Sequence, residues 1–383
     1  MPKFVLRRVI IGLVSLVVFS FFMFWLVEAL IPGDFFSPMR MFMSAEEVDA
    51  LREQFGVDQP IHIRWWRWLV GFVSGDFVTS TVGRGSGGAL TEAVSRTVFV
   101  FAAGLLLAYV LGQWLGRYTG WRRGRLSDGV TLGSIGVSTL FPPFIGFVFL
   151  TFIGLRLRKL RAIFFEDTRR ELWFSSPYTE TQVINRMSFA LLIAAVIVAV
   201  LASVYWRKKR RRLSPSLGVA LVAVFTGLGC MLIGIGPLAL DLMLDSTLTL
   251  AAFTVIAFGE FMLIMQSGMV TTLHEDYIGT ARAKGLPEKT IRDRHAARNA
   301  SLAVVARLAV SVPYLLTGLV IVERAVGFPG VGQFLFNAID NQDIPLAVSS
   351  LAMIGIVTMV VRVVLDVLTA ALDPRIVVTG DVS

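Results

Sequence analysis

The sequence predicts an all-α protein that crosses a membrane several times, and three observations lead there. Hydrophobic residues make up 55% of the 383 positions and charged residues only 16%, far more apolar than ordinary soluble domains. Eight apolar runs are each close to the ~20 residues that a helix needs to cross a hydrocarbon core. The cations gather at the ends of those runs, as at 117–125 and 207–212. The net charge of +9 therefore reads as an orientation signal for an inner-membrane protein and not as a nucleic-acid footprint.

The candidate spans cover 9–31, 96–116, 130–155, 187–206, 215–238, 247–270, 302–323 and 347–370. Lys3, Arg7 and Arg8 precede the first. That run is longer than a signal-peptide core and ends in no small-residue cleavage pattern, so it reads as an uncleaved span. An even count that starts inside returns the C-terminus to the cytoplasm. It also places 117–129, 207–214 and 271–301 inside, where Lys and Arg are in surplus. Residues 156–185 should then lie outside, yet they open on the basic run Arg156 to Arg161. Were this segment cytoplasmic, one of the middle spans would be re-entrant or interfacial.

Between the first two spans, Trp65, Trp66, Trp68, Phe72 and Phe77 cluster. They suit a helix at the membrane–water boundary, or equally one packed on the bundle. Gly83 to Gly88 lacks the strand–helix context of a nucleotide loop and reads as a flexible turn. Pro142 and Pro143 should kink the third span. The run Arg207 to Arg212 could attract anionic lipid headgroups, though fixing the orientation of the adjoining spans is the plainer reading.

The stretch from Tyr277 to Ala300 is the most informative. Gly285 suits the position just past a helix end and Pro287 the first turn of the next, so two short helices with a fixed bend are expected there. Tyr277, Ala281 and Lys284 recur at helical spacing, so a short first helix can show one consistent outer face to a partner. Ala281 and Ala283 permit close approach, Gly285 calls for a left-handed or crowded backbone, and Leu286 would be an exposed apolar tip that can anchor in a partner's pocket.

The order Thr280-Ala281-Arg282-Ala283-Lys284-Gly285-Leu286, followed by His295-Ala296-Ala297-Arg298-Asn299, resembles the cytoplasmic coupling loop of ABC-importer permeases. The likeness is to the branch that moves dipeptides, oligopeptides or nickel. The general pattern opens Glu-Ala-Ala; here those places hold Gly279, Thr280 and Ala281, so the acidic residue is missing. Further pieces resemble the same family: Ile31 to Asp34, Phe55 to Pro60, Gly75 to Phe77, Glu323 to Gly332 and Leu372 to Ile376. The resemblance covers 1–155 and 245–376. It implies a type I-like importer domain with a six-span core and an inserted pair of spans in 156–245. It also implies a homologous second permease, two cytoplasmic ATPase subunits that bind the ATP, and an extracytoplasmic substrate-binding protein.

Ionisable residues inside spans are costly and often functional. Glu260 falls mid-span; it either faces a pathway or pairs with an arginine, and pairing is favoured because a lone carboxylate would take up a proton. Arg307 lies in the seventh span, and Arg362 lies in the eighth, one turn from Asp366. Glu28 and Glu323 stand close enough to span ends to reach water. Glu323, Phe328, Pro329, Gly330 and Gly332 form either an external gate-like turn or a tight turn before a surface helix. No Gly-x-x-x-x-Gly-Lys-Ser/Thr phosphate loop occurs in the sequence, and His62, His274, His295 and Cys230 show no metal-ligand spacing. No nucleophile–base pattern stands out, so a transport subunit is expected and an enzyme is not. An ion-driven carrier is the rival reading; it would want paired ionisable groups at mid-membrane and related halves of the chain.

Overall fold

The computed structural model describes residues 2–30, 33–75, 86–122, 124–209 and 215–372, and among them there is no strand. The helices are α1 (Pro2–Leu30), α2 (Ala45–Phe55), α3 (Ile61–Ser74), α4 (Ser86–Trp121) and α5 (Arg125–Thr139). Then come α6 (Pro142–Phe149), α7 (Leu155–Phe174), α8 (Glu180–Lys209), α9 (Pro215–Leu232) and α10 (Gly236–Thr272). The chain continues with α11 (Asp276–Ala283), α12 (Glu288–Thr290), α13 (Ala297–Val326), α14 (Val331–Asp340) and α15 (Ile344–Leu372). Gly75 to Phe77, Gly83 to Gly88, Arg207 to Arg212 and Leu372 to Ile376 fall wholly or partly outside the described residues, as does the side chain of Asp366.

Each of the eight apolar segments carries helix among its described residues, but their count as spans changes. Five helices are long and apolar enough to cross a membrane, or up to seven if two helix pairs each make one broken span. The segment at 130–155 is one such pair, α5 and the helix from Pro142, set at 106°. Pro142 opens the second helix at its first turn, where its missing N–H costs nothing, so the two prolines break the span outright. The segment at 215–238 ends early, because Gly234 takes a left-handed φ of 78°. Its N–H bonds to Met231 O, and that of Ile235 to Cys230 O. The apolar stretch of α9 is consequently short, and α10 starts eleven residues ahead of the expected 247.

Two compact units divide the chain, one of 1–97 with 329–383 and the other of 98–328. In the first, α1 and α15 pair antiparallel, with Gly12 against Met359 and Gly355 against Leu16. The tryptophan-rich α3 seals this pair. Trp68 is buried with Phe24, Ile344 and Val348, and its indole N–H donates to Ser349 Oγ at 2.9 Å. Trp65 reaches Ser20 Oγ at 3.2 Å, while Trp66 is 60% exposed. Two of the three indoles thus pack on the bundle and one points away.

In the second unit α10 is the hub. Phe253, Phe261, Met262, Met265 and Met269 along it are fully buried. What lets α4 approach is a row of glycines: an added Cβ at Gly112, Gly116 or Gly120 would lie 2.6 Å from atoms of Phe261, Met262 and Met265, or Met269. Between apolar helices in lipid there is no hydrophobic drive to associate, so close backbone packing of this kind supplies the attraction. On another side Gln266 Nε2 donates to Thr131 Oγ1 of α5 at 2.8 Å. Ile145, Leu248, Ala252, Val322 and Val326 join α6, α10 and α13. Helices α8 and α9 form a hairpin around Ala194, Val198 and Val222, with Leu106 of α4 against it. The basic α7 is tied to the head of α10, where Arg169 meets Asp241 at 3.1 Å and Asp245 at 2.9 Å.

Candidate functional site

The loop after α10 folds as a bend of fixed geometry. Helix α11 ends in two crossed hydrogen bonds: Gly285 N–H to Arg282 O at 2.9 Å and Leu286 N–H to Ala281 O at 3.3 Å. That closure demands a left-handed residue, and Gly285 has φ 71°. An added Cβ at Gly285 would meet nothing within 4 Å, so backbone conformation and not crowding selects glycine here. Leu286 follows at the tip, 37% exposed.

The expected second short helix is a different object. After Pro287 the chain makes the single turn of α12, widens into a π-helical stretch Ile291–Ala296, and runs straight on into α13. The loop's far half is therefore continuous with the 30-residue α13. Ile278, Ala281, Ile291, Ala296 and Ala297 form its buried underside. Ala281 thus faces inward, away from the outer face that the Tyr277–Ala281–Lys284 spacing suggested. Gly279, Thr280, Arg282, Ala283, Lys284, Gly285 and Pro287 are exposed.

Polar contacts brace the bend. Asn299 Nδ2 donates to Tyr277 Oη at 2.9 Å, tying α11 to the first turn of α13. Arg282 Nε donates to Glu288 Oε1 at 2.9 Å across the glycine turn, and its guanidinium lies 5.8 Å from the Trp121 ring centroid. Arg292 forks onto Asp293 at 2.7 and 2.9 Å, which holds its guanidinium above the usual arginine range. His295 is half-buried and Arg298 exposed.

Within the helices Glu260 is paired. Its Oε1 accepts from Arg307 Nε at 3.1 Å and from Ser311 Oγ at 2.6 Å, so α10 and α13 are pinned by charge as well as by packing. Arg362 is exposed. Glu323 does not reach water: it is fully buried, and its carbonyl accepts from Phe328 N–H at 2.9 Å where Gly327 turns left-handed at φ 72°. Phe328 is buried too. In the other unit Pro329 is exposed, Gly330 precedes α14 as its cap, and Gly332 is buried in its first turn. Val331 N–H donates to Thr97 Oγ1 at 2.9 Å.

Residues 104–378 match the model of the binding-protein-dependent transport system inner membrane component, and residues 1–101 match the N-terminal model of the same component. The chain belongs to this family. Among its relatives, a Brucella ovis protein provisionally named a peptide permease is 26% identical over 99% of this chain and 100% of its own. The glutathione transport system permease protein GsiC of Salmonella paratyphi A is 27% identical over 98% of this chain and 99% of its own. The oligopeptide transport system permease protein OppB of Mycobacterium bovis is 26% identical over 98% and 99%. This chain is accordingly a multi-pass inner membrane component of a binding-protein-dependent transport system.

Several features of this inner membrane component escaped the sequence reading. The Arg282–Glu288 and Tyr277–Asn299 braces join positions six and 22 residues apart, and no helical period links them. The α4 glycines stand at 112, 116 and 120, a four-residue spacing that could have marked a packing face. Asp343, buried at the head of α15, gave no signal beyond its place just before an Ile-Pro pair.

Proposed function

We propose that this chain is one permease subunit of an ATP-driven ABC importer of peptides, lining part of the translocation pathway and driven through the loop at 271–301. In this reading the loop and both termini are cytoplasmic, the core comprises 1–155 and 245–376, and 156–245 is an insertion. The partners are a homologous second permease, two ATPase subunits that bind the ATP, and an extracytoplasmic substrate-binding protein. Peptides are favoured over nickel or another small solute because the relatives carry peptide, glutathione and oligopeptide in their names.

One observation carries the mechanism: an exposed Leu286 on a hydrogen-bonded left-handed turn, whose far side is helically continuous with α13. A push on such a tip moves α13, whereas a slack loop would absorb it. The pairing of Glu260 with Arg307 joins α10 to α13, a contact that the ion-driven rival would also want; what weighs against that rival is the match to a binding-protein-dependent transport component. The deciding experiment is co-purification of the ATPase subunits with wild type, Gly285→Asp and Leu286→Glu. Loss of the ATPase in the variants, with membrane insertion intact, supports the reading; binding indifferent to both changes overturns it.

A further inference from the structure

A cavity of about 400 Å³ lies within the unit formed by 1–97 and 329–383. That volume is in the range of small-molecule sites. Its apolar wall includes Phe24, Phe36 and Trp68, and its charged groups are Glu28 of α1, Asp34, Arg52 of α2, Arg64 and Arg67 of α3, and Asp343. Most of these charges are matched. Arg64 pairs with Glu28, and Arg52 lies 3.1 Å from both Asp34 and Asp58.

Asp343 is the buried exception. It is 1% exposed and is held at three points: its N–H donates to Ala338 O at 2.8 Å, its O accepts from Ala347 N–H at 2.9 Å, and Oδ1 accepts from Leu346 N–H at 3.0 Å. Oδ2 is buried with no partner among the described residues, and so is Glu28 Oε2 on the same cavity. A buried carboxylate oxygen without a donor is costly. The residue before it adds to that cost, since Gln342 sits at φ 58°, the one left-handed non-glycine among the described residues. Strain next to an unsatisfied charge is a pattern of ligand sites.

We propose that this cavity binds the primary ammonium group of a small peptide, with Asp343 Oδ2 as its anion and the aromatic wall covering the adjoining residue. An ammonium brings three donors and one positive charge, which suits the two unpartnered carboxylate oxygens. Arg67, exposed at the rim and bonded to the neutral Gln59 side chain, suits the carboxylate end of the same ligand. The choice of a peptide over another amine rests on the importer reading above.

The test is calorimetric titration of the full-length chain in lipid nanodiscs with trialanine and with N-acetyltrialanine, for wild type and Asp343→Asn. Trialanine should bind wild type at least about tenfold more tightly than its acetylated form, and Asp343→Asn should abolish that preference. The asparagine keeps the Oδ1 acceptor for Leu346, and the acetylated ligand makes the same test without any variant. Absence of trialanine binding to wild type, equal binding of both ligands, or an unchanged preference in the variant overturns the site. So does a cavity that binds no trialanine but whose Asp343→Asn change weakens capture of the binding protein, since the cation would then be a protein side chain. ATP-driven tripeptide uptake by the assembled wild-type transporter tells the two readings apart: uptake without trialanine binding defeats the site alone, and no uptake defeats the importer reading.

Discussion

The amide of Asn299 donates to the phenol oxygen of Tyr277 at 2.9 Å, so the first helix of the loop is strapped to the helix that the loop continues into. The contact is at the surface and worth about 0.5–1.5 kcal/mol at most. Removing it should hardly disturb folding, yet it should loosen the lever. Tyr277→Phe is expected to lower ATP-driven uptake severalfold while shifting chain stability by less than about 1 kcal/mol. Uptake measured beside thermal unfolding of the same preparation separates these effects. Equal uptake in variant and wild type would mean that the strap carries no load.

Gly285 and Leu286 should fail in different ways. A side chain at φ 71° strains the backbone by roughly 1–2 kcal/mol, with open space around it, so Gly285→Ala should fray the end of α11 and weaken ATPase capture together. Leu286→Glu changes an exposed tip and should cost no more than about 0.5 kcal/mol in stability while losing capture. Amide hydrogen exchange across 276–290 would read the fraying. Faster exchange in Leu286→Glu than in Gly285→Ala would contradict the assignment of roles.

The loop was legible in the sequence because its bend is local: a glycine, a proline and a run of good helix formers specify a turn without help from the rest of the fold. Its buried underside was not. Ala281 is buried together with Ile278 and Ile291, and helical spacing alone could not choose which face looks outward. The span count shows the same limit. Apolar length marks where helices lie, but the break at Leu140 to Pro142 and the left-handed turn at Gly234 decide how many cross. Glu260 was legible as a residue needing a partner; Arg307 and Ser311, 47 and 51 positions on, could not be chosen over Arg362 without the packing of α10 on α13.

The glycine row of α4 gives a prediction for the transmembrane core. A Cβ on Gly116 would lie 2.6 Å from both Met262 O and Met265 Cβ, and backbone cannot yield as a flexible side-chain end does. Overpacking of this sort costs about 1–3 kcal/mol or more. Gly116→Leu should therefore lower the yield of monodisperse protein and its unfolding temperature. Gly129→Ala is the control: it lies within α5 with nothing inside 4 Å, and alanine improves helix propensity by up to about 1 kcal/mol. Size-exclusion profiles and melting curves of the two variants should move in opposite directions.

Asp343 makes the pH dependence predictable in sign. Burial raises its carboxyl from 3.8 to about 6, against the lowering effect of the hydrogen bond from Leu346 N–H. Below about pH 4 both folded and unfolded chains hold the proton and the group is neutral in its effect. Between pH 4 and 6 the unfolded chain has released the proton while the folded chain still binds it, so stability falls as pH rises. The fall approaches about 3 kcal/mol for a shift of roughly two units. Asp343→Asn cannot titrate, so it should lack this slope and, without ligand, be more stable than wild type at pH 7. Thermal unfolding of both proteins in one detergent from pH 4 to 7 tests this. Parallel curves would show that the carboxylate is already balanced in the apo protein, and would remove the unpaired charge on which the ammonium site depends.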